Sequence, residues 1–130
     1  ILIREVKLAK ERFAERYLRA IADSAVEIYN PDNLAQCVKA SRWIASRLDE
    51  LGIKYKKVRI NIPFDCSKPA KMGEPTTSHS ILEALYEGKI WVIDTQLLQF
   101  TLPTPTKLTL PDGFGSRYVY PAEEYYKTVP

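Results

Sequence analysis

Residues 78–96, which read SHSILEALYEGKIWVIDTQ, form the segment that most limits how this chain folds. Runs rich in apolar residues lie on both sides of Glu87-Gly88, which is typical of two strands joined by a tight turn. Glycine accepts the positive φ that a two-residue hairpin loop demands. From this loop the strand pairing runs outward until His79 lies opposite Gln96. The segment therefore predicts an antiparallel hairpin with a defined register.

The same register makes His79 and Asp94 neighbours. Side chains alternate between the two faces of a strand, so both residues lie on one face of the hairpin. They are diagonal cross-strand neighbours, about 7–8 Å apart at the backbone, and their side chains can span that gap. Asp94 would accept a hydrogen bond from the N–H of one ring nitrogen and leave the other nitrogen for acid–base chemistry. The alternative is a packed strand histidine, the only one in the chain, with an incidental acidic neighbour.

Two helices are predicted before the hairpin. Residues 4–29 carry apolar side chains at three- and four-residue steps. These residues are Val6, Phe13, Tyr17, Leu18, Ile21, Ala25 and Ile28. A second helix is predicted over residues 34–51, where Asn33 followed by Gln36 resembles a capping box. Both helices are expected to pack their apolar sides across the body of the domain.

Cys37 lies in the first turn of the second predicted helix. Unpaired N–H groups and the positive end of the helix dipole favour a thiolate there. A helix N-terminus and a nearby imidazolium both lower a cysteine pKa from about 8.5 into a reactive range. Cys37 is therefore a candidate nucleophile, and the alternative is an inert cysteine on the buried side of the helix.

The other elements are shorter. Residues 56–62 alternate apolar and basic side chains and predict a strand. Residues 63–77 contain three prolines and predict a long loop. Cys66 lies in this loop and belongs to no recognisable motif. A short strand is predicted over 118–120, followed by a short helix over 121–127 that Pro121 opens.

Chain length and composition predict one α+β domain over residues 1–130. The chain is 45% hydrophobic, which is enough for a single core. We expect an N-terminal helical part over 1–29, a nucleophile helix over 30–52, and an antiparallel sheet with a C-terminal extension over 54–130.

The charge of the chain does not point to nucleic acid. The formal net charge is only +3, and the strongest basic cluster, residues 54–59, is interpreted as the solvated face of a strand. No nucleic-acid partner is therefore predicted. The alternative is a small basic RNA-binding domain that contacts RNA through this strand. In that case the affinity for nucleic acid would fall steeply as the salt concentration rises.

Membrane and metal partners are not predicted either. No apolar run approaches the roughly 20 residues of a membrane span. Cys37, Cys66 and His79 lack the paired short spacings of a zinc site, so neither a metal nor a cofactor is expected. The start of the chain has no signal-peptide pattern. Because it begins at Ile1, we expect a processed or trimmed product or a piece of a longer polypeptide, and the compartment stays unassigned.

The order of the candidate residues resembles the papain-like fold and, within it, the transglutaminase-like branch. The matching residues are Cys37-Val-Lys-Ala-Ser-Arg-Trp-Ile-Ala, His79, and Gly88-Lys-Ile-Trp-Val-Ile-Asp94. In that group a cysteine opens the central helix, a histidine begins a strand, and an aspartate lies on the next strand. The resemblance covers residues 30–96 and implies helices packed on a small antiparallel sheet. The small size and the ending 120–125 also resemble papain-fold toxin domains of bacterial polymorphic toxins, which implies a cognate immunity protein.

The resemblance implies a catalytic triad of Cys37, His79 and Asp94. Cys37 would attack an amide carbonyl of a protein or peptide, and the developing oxyanion would be held by the Cys37 N–H and one side-chain donor. Candidates for that donor are Gln36, Asn33 and Asn30, whose alternative role is capping and turn formation. Gln96 is a candidate for lining the site.

The implied activity is that of a peptidase, a protein-glutamine deamidase or a transglutaminase. The triad by itself does not choose among them, because the same acyl-enzyme passes to water or to an amine. Hydrolysis is favoured, since a small domain offers little surface for a second substrate. The alternative is a catalytically inactive papain-like domain that serves as a protein-binding module.

Overall fold

The computed structural model describes residues 2–29, 37–63, 76–98 and 109–129. Within them the chain forms three helices and four strands, in the order α1 (Leu2–Ile28), α2 (Cys37–Glu50), β1 (Lys54–Pro63), β2 (Thr76–Tyr86), β3 (Lys89–Ile93), β4 (Val119–Pro121) and α3 (Ala122–Thr128). The strands form one antiparallel sheet in the order β1-β2-β3-β4. The predicted α+β class is confirmed.

The predicted hairpin is confirmed in its loop and its register. Tyr86 pairs with Lys89 on either side of a two-residue turn. Glu87 has φ 52° and Gly88 has φ 71°, and two consecutive positive φ angles define the type I′ turn, whose twist matches that of the flanking strands.

The predicted length of the hairpin ladder is wrong. The β2–β3 pairing ends at Leu82 opposite Ile93, so His79 does not pair with Gln96. Instead the Gln96 N–H donates to Asp94 Oδ1 at 3.0 Å, which bends the chain away from β2. Among the described residues, the segment of β2 that carries His79 is therefore paired with β1 alone.

Apolar residues cover both faces of the sheet. On one face α1 and α2 pack over a core of thirteen buried residues: Ala14, Leu18, Ala22, Ala25, Ile44, Ala45, Leu48, Ile53, Leu82, Ala84, Trp91, Ile93 and Val119. On the other face α3 and the segment before β4 bury a second cluster: Ile62, Ile81, Val92, Leu97, Phe114, Tyr120, Tyr125 and Val129. His79 and Ile81 are two positions apart on β2, so they lie on the face that bears the second cluster.

The C-terminus of α2 is fixed by the glycine that the sequence indicates. Gly52 has φ 70°, and the Ile53 N–H donates to the Leu48 carbonyl at 2.9 Å. A glycine in this conformation satisfies the last carbonyls of a helix without steric cost. Among the described residues, no helix combines the length and the apolar character needed to cross a membrane.

Replacing Gly88 by alanine is expected to lower the free energy of unfolding by about 1 kcal/mol, because a Cβ is unfavourable at positive φ. The matched change Glu87→Asn is expected to raise it by a few tenths of a kcal/mol, roughly, since asparagine tolerates this conformation better than glutamate. Urea unfolding of the two variants measures both effects. Equal values for both would show that the turn does not have these dihedral angles.

Candidate active site

His79 and Asp94 form a buried pair. His79 Nε2 lies 2.8 Å from Asp94 Oδ2, and the two residues are 0% and 2% exposed. The contact expected from the hairpin register is therefore present, although the ladder stops earlier. Burial removes the competing water that makes surface ion pairs weak, so the contact holds both side chains in place.

Asp94 accepts two further hydrogen bonds. The Tyr125 hydroxyl donates to Oδ2 at 2.7 Å, and the Gln96 backbone N–H donates to Oδ1 at 3.0 Å. An ionised carboxylate is acceptor-only, so it matches all of these donors at once. Both carboxylate oxygens of Asp94 are thus held in place. Because His79 is hydrogen-bonded to one of them, the orientation of its ring is held as well.

The hydrogen bond assigns different roles to the two ring nitrogens of His79. Asp94 accepts from the Nε2 side, which favours the tautomer protonated at Nε2. In this tautomer Nδ1 is the ring nitrogen that carries no proton. A histidine oriented in this way by a carboxylate has the arrangement of a general acid–base.

Tyr125 is a member of the site that the sequence analysis did not identify. It lies on the buried side of α3 and forms ring contacts with Tyr120, with centroids 5.3 Å apart. Burial and the charge of Asp94 raise the pKa of the Tyr125 hydroxyl, and they also raise the pKa of Tyr120. Tyr125 therefore stays protonated and donates to Asp94.

Replacing Tyr125 by phenylalanine removes one donor to a buried carboxylate without a large change in shape. We expect the free energy of unfolding to fall by about 1.5–3 kcal/mol. Tyr126→Phe is the matched control, because its hydroxyl donates to Glu83 at the exposed surface and such bonds contribute about 1 kcal/mol or less. Denaturant unfolding compares the two, and equal losses would contradict the role given to Tyr125.

The tyrosine cluster predicts a loss of stability in alkali. The pKa values of Tyr120 and Tyr125 are raised above their usual value of about 10 in the folded chain. A raised pKa means that the folded state favours the neutral hydroxyl, so this stability is complete below pH about 10 and is lost as the pH rises further. Unfolding free energies measured on both sides of that pH test it, with Tyr125→Phe expected to show the smaller dependence.

Cys37 is the first residue of α2 as the structure describes it; the sequence predicts a helix from residue 34 with Cys37 in its first turn, and residues 34–36 lie outside the described residues. One turn later the Ser41 hydroxyl donates to the Ser80 carbonyl at 3.2 Å, and Ser80 directly follows His79. Residues one turn apart are about 6 Å apart along a helix axis. The start of α2 therefore lies close to the backbone of β2 beside His79, whereas the His79 side chain lies on the opposite face of the sheet, with Ile81 and the second cluster.

Gln96 lies beside the pair of His79 and Asp94, but not through the strand pairing that the sequence predicts. Its side chain is buried, and its Nε2 donates to the Tyr29 carbonyl at 3.0 Å. Gln96 thus connects the end of α1 to the Asp94 bend. The remaining candidates, Asn30, Asn33 and Gln36, lie outside the described residues, as do Cys66 and the side chain of Cys37.

Among the described residues, no three histidine, cysteine, aspartate or glutamate side chains are grouped so that they could hold a metal ion.

Comparison with protein-family models, with curated proteins and with solved structures finds no match for this chain.

Proposed function

We propose that this chain is a cysteine-dependent hydrolase or acyltransferase that acts on protein amides through Cys37, His79 and Asp94. The observation that carries the proposal is the buried contact of 2.8 Å between His79 Nε2 and Asp94 Oδ2. A histidine oriented by a carboxylate is the central part of every such triad. Cys37 at a helix N-terminus supplies the thiol in a setting that favours its ionised form.

The order of elements supports a papain-like fold of the transglutaminase-like branch. The nucleophile opens α2, the histidine lies on β2, and the aspartate directly follows the adjacent antiparallel strand β3. The bond from Ser41 to the Ser80 carbonyl brings the first turn of α2 to the histidine strand. The sequence order is the one on which the resemblance depends, although His79 is the fourth residue of β2 and Asp94 lies one residue beyond β3.

The proposed reaction has two halves. The Cys37 thiolate attacks the carbonyl carbon of the amide, and the C–N bond breaks as the His79 imidazolium gives its proton to the leaving nitrogen. Water or an amine then loses a proton to His79 and attacks the thioester, which releases the Cys37 thiolate. Asp94 stabilises the imidazolium in both halves without itself taking a proton.

The acyl acceptor decides the product. Water yields proteolysis or glutamine deamidation, and a primary amine yields cross-linking. We favour water, since a small domain offers little surface for a second substrate. If the chain is an effector of the toxin type that its sequence resembles, an immunity protein would be a further partner.

Incubation with a glutamine-rich protein such as casein tests the proposal. Ammonia release without peptide cleavage indicates deamidation, new peptide termini indicate proteolysis, and incorporation of a fluorescent primary amine indicates acyl transfer. Prior alkylation with iodoacetamide should remove whichever activity is found. Activity that survives complete alkylation of the thiols would contradict a cysteine nucleophile.

A further inference from the structure

A cleft lies between the start of α2 and the helix-facing side of β1, and we name it the α2–β1 cleft. Its volume is about 290 Å³, and it is lined by Val38, Ser41, Arg42, Lys57, Val58, Arg59, Ser80 and Ile81. Its inner part is buried or half-buried, while its three cations are exposed. The cleft is therefore a shaped depression with a positively charged rim.

The three cations of the cleft have no acidic partner in the described part of the chain. Salt bridges of the described residues involve other cations, for example Arg19 with Asp23 and Arg117 with Glu124. None of the described residues lining the cleft is acidic. Arg59 is held towards β2, because its Nη1 donates to the Ser78 hydroxyl at 3.1 Å. Its remaining N–H groups suit a carboxylate, which accepts from a guanidinium in a bidentate manner.

The cleft adjoins the start of α2. Val38, which lines the cleft, follows the proposed nucleophile Cys37, and Ser80 lines it from β2, while the side chain of its neighbour His79 lies on the other face of the sheet. The bond between Ser41 and Ser80 forms part of the cleft lining. A peptide whose scissile amide reaches Cys37 would therefore place adjacent side chains in the cleft.

We propose that the α2–β1 cleft binds acidic side chains next to the amide that is attacked, so that the preferred substrate is an acidic peptide segment. The inference rests on the proposed function for the position of the amide, whereas the binding of acidic peptide to the cleft can be measured without turnover. Arg42, Lys57 and Arg59 are the specificity-determining residues.

The arrangement of charges favours an acidic peptide over nucleic acid. The basic run of β1 alternates faces, so Lys57 and Arg59 lie on the cleft side while Lys54 and Lys56 lie on the other. The run thus does not form the continuous basic track that a phosphate backbone requires. Among the described lining residues there is also no aromatic side chain on which a base could stack.

Fluorescence anisotropy with the full chain carrying Cys37→Ala tests the inference, because this protein binds without turning over. The probes are a short labelled peptide with one glutamine flanked by glutamates, the same peptide with asparagines in place of the glutamates, and a short single-stranded oligonucleotide. The cleft variant carries Arg42→Gln, Lys57→Gln and Arg59→Gln. The matched control carries Lys7→Gln, Lys10→Gln and Lys54→Gln, which remove the same charge from exposed positions outside the cleft.

We expect the acidic peptide to bind at least about tenfold more tightly than the neutral one, and the cleft variant to remove that preference while the control keeps it. Equal losses in both variants, or no preference for the acidic peptide, would overturn the inference. Tighter binding of the oligonucleotide, lost in the cleft variant, would overturn it in favour of nucleic acid. If the acidic peptide binds in the cleft but the unmodified chain acts on no amide, the proposed function fails and the ligand class of the cleft is retained.

Discussion

Replacing Cys37 by alanine is expected to lower amide turnover by about four orders of magnitude or more, because no acyl-enzyme forms without the sulfur. The free energy of unfolding should change by no more than about 1 kcal/mol, since alanine is a good helix former in the first turn of α2. Parallel measurement of turnover and of urea unfolding separates the two effects.

Cys66→Ser is the control for this experiment and is expected to keep full activity. A Cys37→Ala protein that retained activity would show that the nucleophile is assigned to the wrong residue. An equal loss in the two variants would instead point to a cysteine effect unrelated to the proposed triad.

Replacing Asp94 by alanine is expected to have the largest effect on stability. The change removes the acceptor for His79 Nε2, the Tyr125 hydroxyl and the Gln96 N–H. Removing one member of a buried charged network costs about 3–5 kcal/mol, because the remaining polar groups stay buried without partners. Chemical denaturation measures the loss.

Asp94→Asn separates catalysis from folding at the same position. Asparagine preserves the volume, but its amide group donates as well as accepts and therefore favours the wrong tautomer of His79. In a triad such a change lowers turnover by about 10⁴-fold. If Asp94→Asn lowered stability alone and left turnover intact, the aspartate would be a structural residue.

Local interactions explain why the hairpin was predictable. Glu87 and Gly88 define the turn, and the turn fixes the first pairs of the ladder within a few residues. The end of the ladder at Ile93 was not predictable in this way. It depends on the bend at Asp94, whose N–H donates to the Tyr118 carbonyl and whose carboxylate accepts from Tyr125, both far along the chain.

Helix α1 shows a second limit of pattern reasoning. The periodicity predicts Val6, Phe13 and Ile28 on the packed side, yet all three are exposed. Leu18 and Ala25 of the predicted stripe are buried as expected, and the structure buries with them two alanines that the pattern left out, Ala14 and Ala22. Small side chains let a helix approach its neighbours closely. The position of such a close contact depends on the neighbouring elements, so the hydrophobic pattern of the helix does not reveal it.

The pH dependence of alkylation at Cys37 tests most directly whether sulfur, imidazole and carboxylate act together. The experiment uses the Cys66→Ser background and follows iodoacetamide modification by mass spectrometry, with and without His79→Ala. We predict rapid modification well below pH 7, where an ordinary thiol with a pKa of about 8.5 is almost wholly protonated, and loss of that reactivity without His79. A profile that rises only above pH 8 and is identical in both proteins would contradict a thiolate–imidazolium pair and leave a protein-binding module as the better interpretation.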